Sequence, residues 1–146
     1  MNAPNAVSLV PPQILPLVLP FALPWLEKTL REFAWENWTL ENIIEDLQGE
    51  KKQLWAGHVG EDYLYVITQL VEEVTGISVH VVLGGGTLDA ENSIIQHIAA
   101  IEQWARNIRA TSVVVWGRLG WKKLLAPYGY QFDTAAFRLP LKGQVN

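Results

Sequence analysis

Two adjacent glutamates, Glu72 and Glu73, end a run rich in β-branched and aromatic residues, and His80 lies within the next such run. A carboxylate or imidazole beside a reacting group can take its proton, so these three residues are candidates for a general base. Neighbours on a strand point to opposite faces, so at most one of the two glutamates can line a given cleft. The plain alternative is a charged, exposed strand edge. His58, His80 and His97 stand singly, without the His-x-x-x-His spacing of paired metal ligands, and no metal site is expected. The chain has no cysteine, which excludes a disulfide framework, thiolate ligands and a cysteine nucleophile. Arg118, Trp121, Lys122 and Lys123 form a compact basic and aromatic patch, either a solvated helix face or a contact for a protein or an anionic ligand. Trp25, Trp35, Trp38, Trp55, Trp104 and Trp116 read as core or interface residues.

These residues need a scaffold, and hydrophobic periodicity supplies one. Leu26, Leu30, Phe33 and Asn37 follow Pro24 at helical spacing, and Leu40, Ile43, Ile44 and Leu47 form a second helix. Thr39 is that helix's N-cap, and Gly49 stands where a left-handed C-cap belongs. Residues 53–59, 63–74 and 77–83 are strands, punctuated by Gly60-Glu61-Asp62 and Thr75-Gly76 and joined as antiparallel hairpins. After Gly84-Gly85-Gly86 comes a helix with Ile94, Ile98, Ile101, Ala105 and Ile108 on one face and Asp89 as N-cap. A buried strand over 111–116, a short helix over 120–126 ended by Pro127, and a last strand over 131–139 complete the order ααβββαβαβ.

The chain's 146 residues suit one domain, and 49% hydrophobic against 18% charged residues give it ample core material. A net charge of −4 gives no general reason to bind nucleic acid. Residues 14–26 are apolar but about half as long as a membrane span, and no basic n-region precedes them, so neither a span nor a signal peptide is expected. Prolines at 12, 16, 20 and 24 set a tetrapeptide rhythm that reads as an extended arm over residues 1–24, followed by the domain at 25–141 and a polar tail at 142–146. Ile14, Leu15, Leu17, Val18, Leu19, Phe21, Leu23 and Trp25 must be covered, either by the domain itself or by a partner chain.

Val81-Val82-Leu83-Gly84-Gly85-Gly86, Ile101-Glu102-Gln103-Trp104-Ala105-Arg106, Gly117-Arg118-Leu119-Gly120-Trp121 and Tyr128-Gly129-Tyr130-Gln131-Phe132 together resemble the signatures of phage and prophage proteins with the GNAT (Gcn5-related N-acetyltransferase) fold. The resemblance covers about Trp25 to Leu141. It implies a mixed, mostly antiparallel α/β sheet with flanking helices. In active members a glycine loop and the N-terminus of the central helix hold the pyrophosphate of acetyl-CoA, which makes Gly84, Gly85 and Gly86 the matching cofactor positions.

The sequence departs from the active pattern in four places. No Arg or Gln stands in the loop. Asp89 and Glu91 place carboxylates at the helix start. No Lys or Arg lies between Lys52 and Arg106, which leaves the cleft side without a cation. Leu125 occupies the position of the usual tyrosine acid, with Tyr128 as the substitute. The resemblance thus implies a bacteriophage structural or assembly protein that has lost acetyl-CoA chemistry and carries no cofactor. Its arm would dock on other virion subunits or on a second copy, placing it in the virion or host cytoplasm. An acetyl-CoA-dependent N-acyltransferase is the alternative, and a regulatory module that binds a host protein is the second.

Overall fold

The computed structural model describes residues 7–33, 39–59, 61–87, 90–116, 121–133, 139 and 141, with backbone alone at 33, 59, 90–97, 121 and 122. Among these, the elements are β1 (Ser8–Leu9), α1 (Leu15–Phe33), α2 (Leu40–Gln48), β2 (Lys52–Val59), β3 (Asp62–Glu73), β4 (Gly76–Gly86), α3 (Ala90–Asn107), β5 (Ser112–Val115) and α4 (Trp121–Leu125), with a 3-10 turn at Ala126–Tyr128. The sheet order is β1-β2-β3-β4-β5, antiparallel except where β5 runs parallel to β4. The α3 crossover supplies that parallel pair, which no tight hairpin can make. Alternation along the strands builds two cores. Leu54, Tyr65, Ile67 and Leu83 pack under α1 and α2, while Trp55, Leu64, Val66, Val79 and Val81 pack with Ile101 and Ala105 of α3.

The extended arm expected before Trp25 is replaced by helix from Leu15 onward. A spacing of four, read as a rhythm of breaks, is also nearly one helical turn. Pro16, Pro20 and Pro24 therefore fall on one exposed stripe, while Leu15, Leu19, Ala22, Leu26 and Leu30 line the buried one. Pro16 lies in the first turn, where no intrahelical donor is needed. Pro20 and Pro24 each remove one hydrogen bond at a cost of about 3 kcal/mol. Burial contributes roughly 1.5–3 kcal/mol for each of the four leucines, so packing outweighs the breaks. Of the apolar residues expected to meet a partner, Leu15 and Leu19 are thus spent in the chain's own core. Val18, Leu23 and Trp25 are half-buried against it, and Ile14, Leu17 and Phe21 are exposed.

Thr39 caps α2 by accepting from the Asn42 N–H. Gly49 is not the left-handed residue; its φ is −85°, and Glu50 takes φ 60° instead. The Glu50 N–H donates to the Leu47 carbonyl and the Lys51 N–H to the Asp46 carbonyl, closing the helix as a Schellman turn one residue later than expected. The N-terminal segment supplies a strand the sequence does not announce: Leu9 pairs with Trp55, and Val7 is buried beside α3's core. Asp89 as N-cap and most of the last strand lie outside the described residues, and residues 131–133 are not strand.

One register change matters for the site. Thr68 pairs with Val81 but Ile67 pairs with Leu83, leaving Val82 unopposed as a β-bulge. The extra residue reverses the alternation of β4, so that Val81 faces α3 while Leu83 and Gly85 face α1.

Candidate functional site

The triglycine belongs to strand β4, not to a loop: Gly84, Gly85 and Gly86 pair with Val66, Tyr65 and Leu64. Their lack of side chains is explained by the protein itself. A Cβ on Gly85 would lie 2.6 Å from Thr29 Oγ1, and one on Gly86, whose φ is +153°, would lie 2.1 Å from the Tyr63 carbonyl oxygen. The Thr29 hydroxyl lies within hydrogen-bond distance of the carbonyls of both Trp25 and Gly84. The Thr87 N–H is already used on the Tyr63 carbonyl, and the Thr87 hydroxyl accepts from the Tyr63 N–H. These glycines let α1 and β3 approach closely.

On the other edge of β4 the sheet opens. β4 and β5 pair only from Ser78↔Ser112 to Val81↔Val115, and the last link is the Trp116 N–H donating to the Val81 carbonyl. β4 continues to Gly86 with no partner on that side among the described residues. Among the described residues, the stretch from Val82 to Gly86 is an open strand edge.

Where the opening begins, His80 and Trp116 meet, and Glu73 reaches toward them from the end of β3 that pairs with Gly76. His80 is buried, and its Nδ1 accepts a 2.8 Å hydrogen bond from Trp116 Nε1. Its Nε2 lies 3.8 Å from Glu73 Oε2. Glu73 shares this face of β3, whereas Glu72 alternates to the α3 face and is exposed. Of the sequence candidates, the structure brings Glu73 and His80 together and leaves Glu72 out. Trp116 was read only as core or interface; the parallel register that sets it beside His80 leaves no mark in local sequence.

The remaining candidates fall elsewhere. Tyr128 is exposed on the 3-10 turn and Leu125 is buried. Tyr130 instead donates its hydroxyl to Glu102 Oε2 of α3 at 2.7 Å. Burial, then this hydrogen bond, pushes the Tyr130 phenol well above its ordinary value, with Arg106 opposing. Of the basic patch, Lys123 is exposed on α4, Trp121 and Lys122 are described by backbone alone, and Arg118 lies outside the described residues. Among the described residues no cluster of His, Asp and Glu could hold a metal ion, and no helix is long and apolar enough to cross a membrane.

No protein-family model matches the sequence, and a search of curated proteins finds no match. Solved structures do match. A probable acetyltransferase superposes with a TM-score of 0.67 at 11% identity, covering 92% of this chain and 96% of the other. An aminoglycoside N-acetyltransferase in complex with CoA gives 0.64 at 11% identity, with 97% of each chain covered. The ribosomal-protein-alanine N-acetyltransferase of Brucella melitensis biovar Abortus 2308 gives 0.64 at 17% identity, covering 93% and 99%. The chain therefore has the GNAT acetyltransferase fold. These likenesses overturn the expectation of a phage structural or assembly protein: all three matched structures are described as acetyltransferases.

Proposed function

We propose that the chain is an acetyl-CoA-dependent N-acyltransferase, with the acyl donor entering where β4 and β5 part. The observation that carries this reading is the unpaired edge from Val82 to Gly86 beside the His80, Trp116 and Glu73 group, on a fold shared with acetyltransferases. An open edge offers backbone donors and acceptors to an extended, amide-containing chain, which is the chemistry of a pantetheine arm. The described residues supply no pyrophosphate cradle, because the glycine spaces and the Thr87 N–H are taken by the protein.

The Glu73 carboxylate is the proton acceptor in this reading. Trp116 Nε1–H can only donate, so it occupies the lone pair of His80 Nδ1 and leaves the neutral ring's proton on Nε2. His80 as base is therefore disfavoured. An acceptor enters as an ammonium and gives one proton to Glu73. Its nitrogen then forms a bond to the thioester carbonyl carbon, the carbon–sulfur bond breaks, and the second nitrogen proton leaves with the sulfur as thiol. Calorimetric titration with acetyl-CoA and a thiol-release assay over a panel of amines test the reading. Saturable micromolar binding with amine-dependent thiol release is expected. No binding at millimolar acetyl-CoA and no thiol release would overturn it.

A further inference from the structure

The buried ring of His80 is tethered by a hydrogen bond on one side only. Trp116 fixes Nδ1 as an acceptor, and the two rings lie tilted by 33° with centroids 6.0 Å apart. The proton on the other side, at Nε2, is buried without a hydrogen-bond acceptor. Such a buried donor is costly to leave unmade. What faces it is the Glu73 carboxylate at 3.8 Å, on a side chain 40% exposed and so open to a ligand. A carboxylate shifting by roughly 1 Å would reach ordinary hydrogen-bond distance. With the opposite tautomer, an imidazole lone pair would face the carboxylate and push it away.

We infer that Trp116 and His80 are positioning residues for the Glu73 carboxylate: the indole selects the His80 tautomer, and the resulting Nε2–H steers Glu73 toward the acceptor amine. This rests on the reading above that Glu73 takes the amine proton. The arrangement also accounts for a tryptophan 44% exposed at the end of β5, where its ring covers little but its N–H is committed to His80. In this arrangement two side chains, His80 and Glu73, stand between the indole and the acceptor amine, so its effect on rate is indirect.

Long-range proton–nitrogen NMR spectra of the full chain, with His58 and His97 assigned by His→Gln variants, decide the tautomer without any assay of activity. His80 is expected as the Nε2–H form, with Trp116→Phe moving it toward a mixture and Glu73→Gln shifting the Nε2 resonance. In parallel kinetics, Trp116→Phe should lower kcat on the order of tenfold to a hundredfold while leaving the KM for acetyl-CoA unchanged. His80→Gln, whose amide N–H can reach the place of Nε2–H, should retain more rate than His80→Asn. An active protein whose His80 carries its proton on Nδ1 would overturn the relay alone. So would a Trp116→Phe protein with an altered tautomer and an unaltered kcat. A chain that shows the expected tautomer, and loses it in Trp116→Phe, yet acylates no amine would overturn the acyltransferase reading while supporting the tautomer selection.

Discussion

Thr29 of α1 and Gly85 of β4 meet so closely that a methyl group on the glycine would sit 2.6 Å from the threonine hydroxyl oxygen and 3.1 Å from the Trp25 carbonyl oxygen. Gly85→Ala should therefore lower stability by about 1–3 kcal/mol, the usual range for overpacking. Removing the hydroxyl relieves one of the two contacts. Thr29→Ala combined with Gly85→Ala should thus cost less than the sum of the single changes, a coupling that a double-mutant cycle of denaturation midpoints would read. Strict additivity would contradict the contact.

Helix α2 ends with Glu50 at φ 60°, a conformation that glycine adopts without strain. Glu50→Gly should raise stability by roughly 0.5–1 kcal/mol, since relief of the left-handed backbone outweighs the greater freedom of the unfolded chain. A thermal midpoint unchanged or lowered in Glu50→Gly would show that the Glu50 side chain contributes more than the strain costs.

Pro20 stands on the exposed stripe of α1 and withholds a donor from the helix. Pro20→Ala should stabilise by about 1–3 kcal/mol if α1 can straighten over the sheet. Calorimetry reads the change. A loss of stability would mean that the bend imposed by the proline is needed to seat Leu15 and Leu19 together with Leu26.

The neutral phenol of Tyr130 is favoured in the folded state, first by burial and then by its bond to Glu102. Tyr65 is shifted in the same direction, by burial and then by Tyr63. In unfolded chains both titrate near 10.0. Between that value and the raised folded value the native state holds more protons, so stability falls as pH rises. The contribution is complete below about pH 10 and disappears as the pH climbs toward the folded values. Alkaline difference absorbance should show tyrosines titrating late, and Tyr130→Phe should flatten the loss of stability. Late absorbance that persists unchanged in Tyr130→Phe would assign it to other residues.

Glu72 and Glu73 provide an internal control for the proposed chemistry, because they are neighbours in sequence on opposite faces of β3. Glu73→Gln should lower kcat/KM on the order of 100-fold or more, the scale of general-base loss. Glu72→Gln should leave it nearly unchanged. Equal effects would argue for a general electrostatic role of the hairpin end.

Where local pattern and tertiary structure agree, the elements are legible in the sequence: α2, β2, β3, β4 and the buried face of α3 with Ile98, Ile101 and Ala105 follow from periodicity and turn residues. The failures have particular causes. In α1 a proline spacing that matches the helical turn reads as broken chain, and only burial of the opposite stripe decides otherwise. The triglycine reads as a loop, whereas it ends β4, because the neighbours that require glycine there, Thr29 and Tyr63, are distant in sequence. In the site, Glu73 and His80 are visible as residue types with the right chemistry. Their pairing depends on an antiparallel register and that of His80 with Trp116 on a parallel one, both long-range properties of the sheet.

The bulge at Val82 gives β4 two phases, one on each side of a single unopposed residue. Before it, even positions share the face that carries His80; after it, odd positions share the face that meets α1. Val82 is therefore an added residue that neither phase needs for its own pairing. Exchanging Val82 for another apolar residue disturbs one side chain. Deleting it would leave Val81 opposite Thr68 and Leu83 opposite Ile67 in an unbroken ladder, so the segment that borders the opening would keep its facing toward α1 and lose only the local bend.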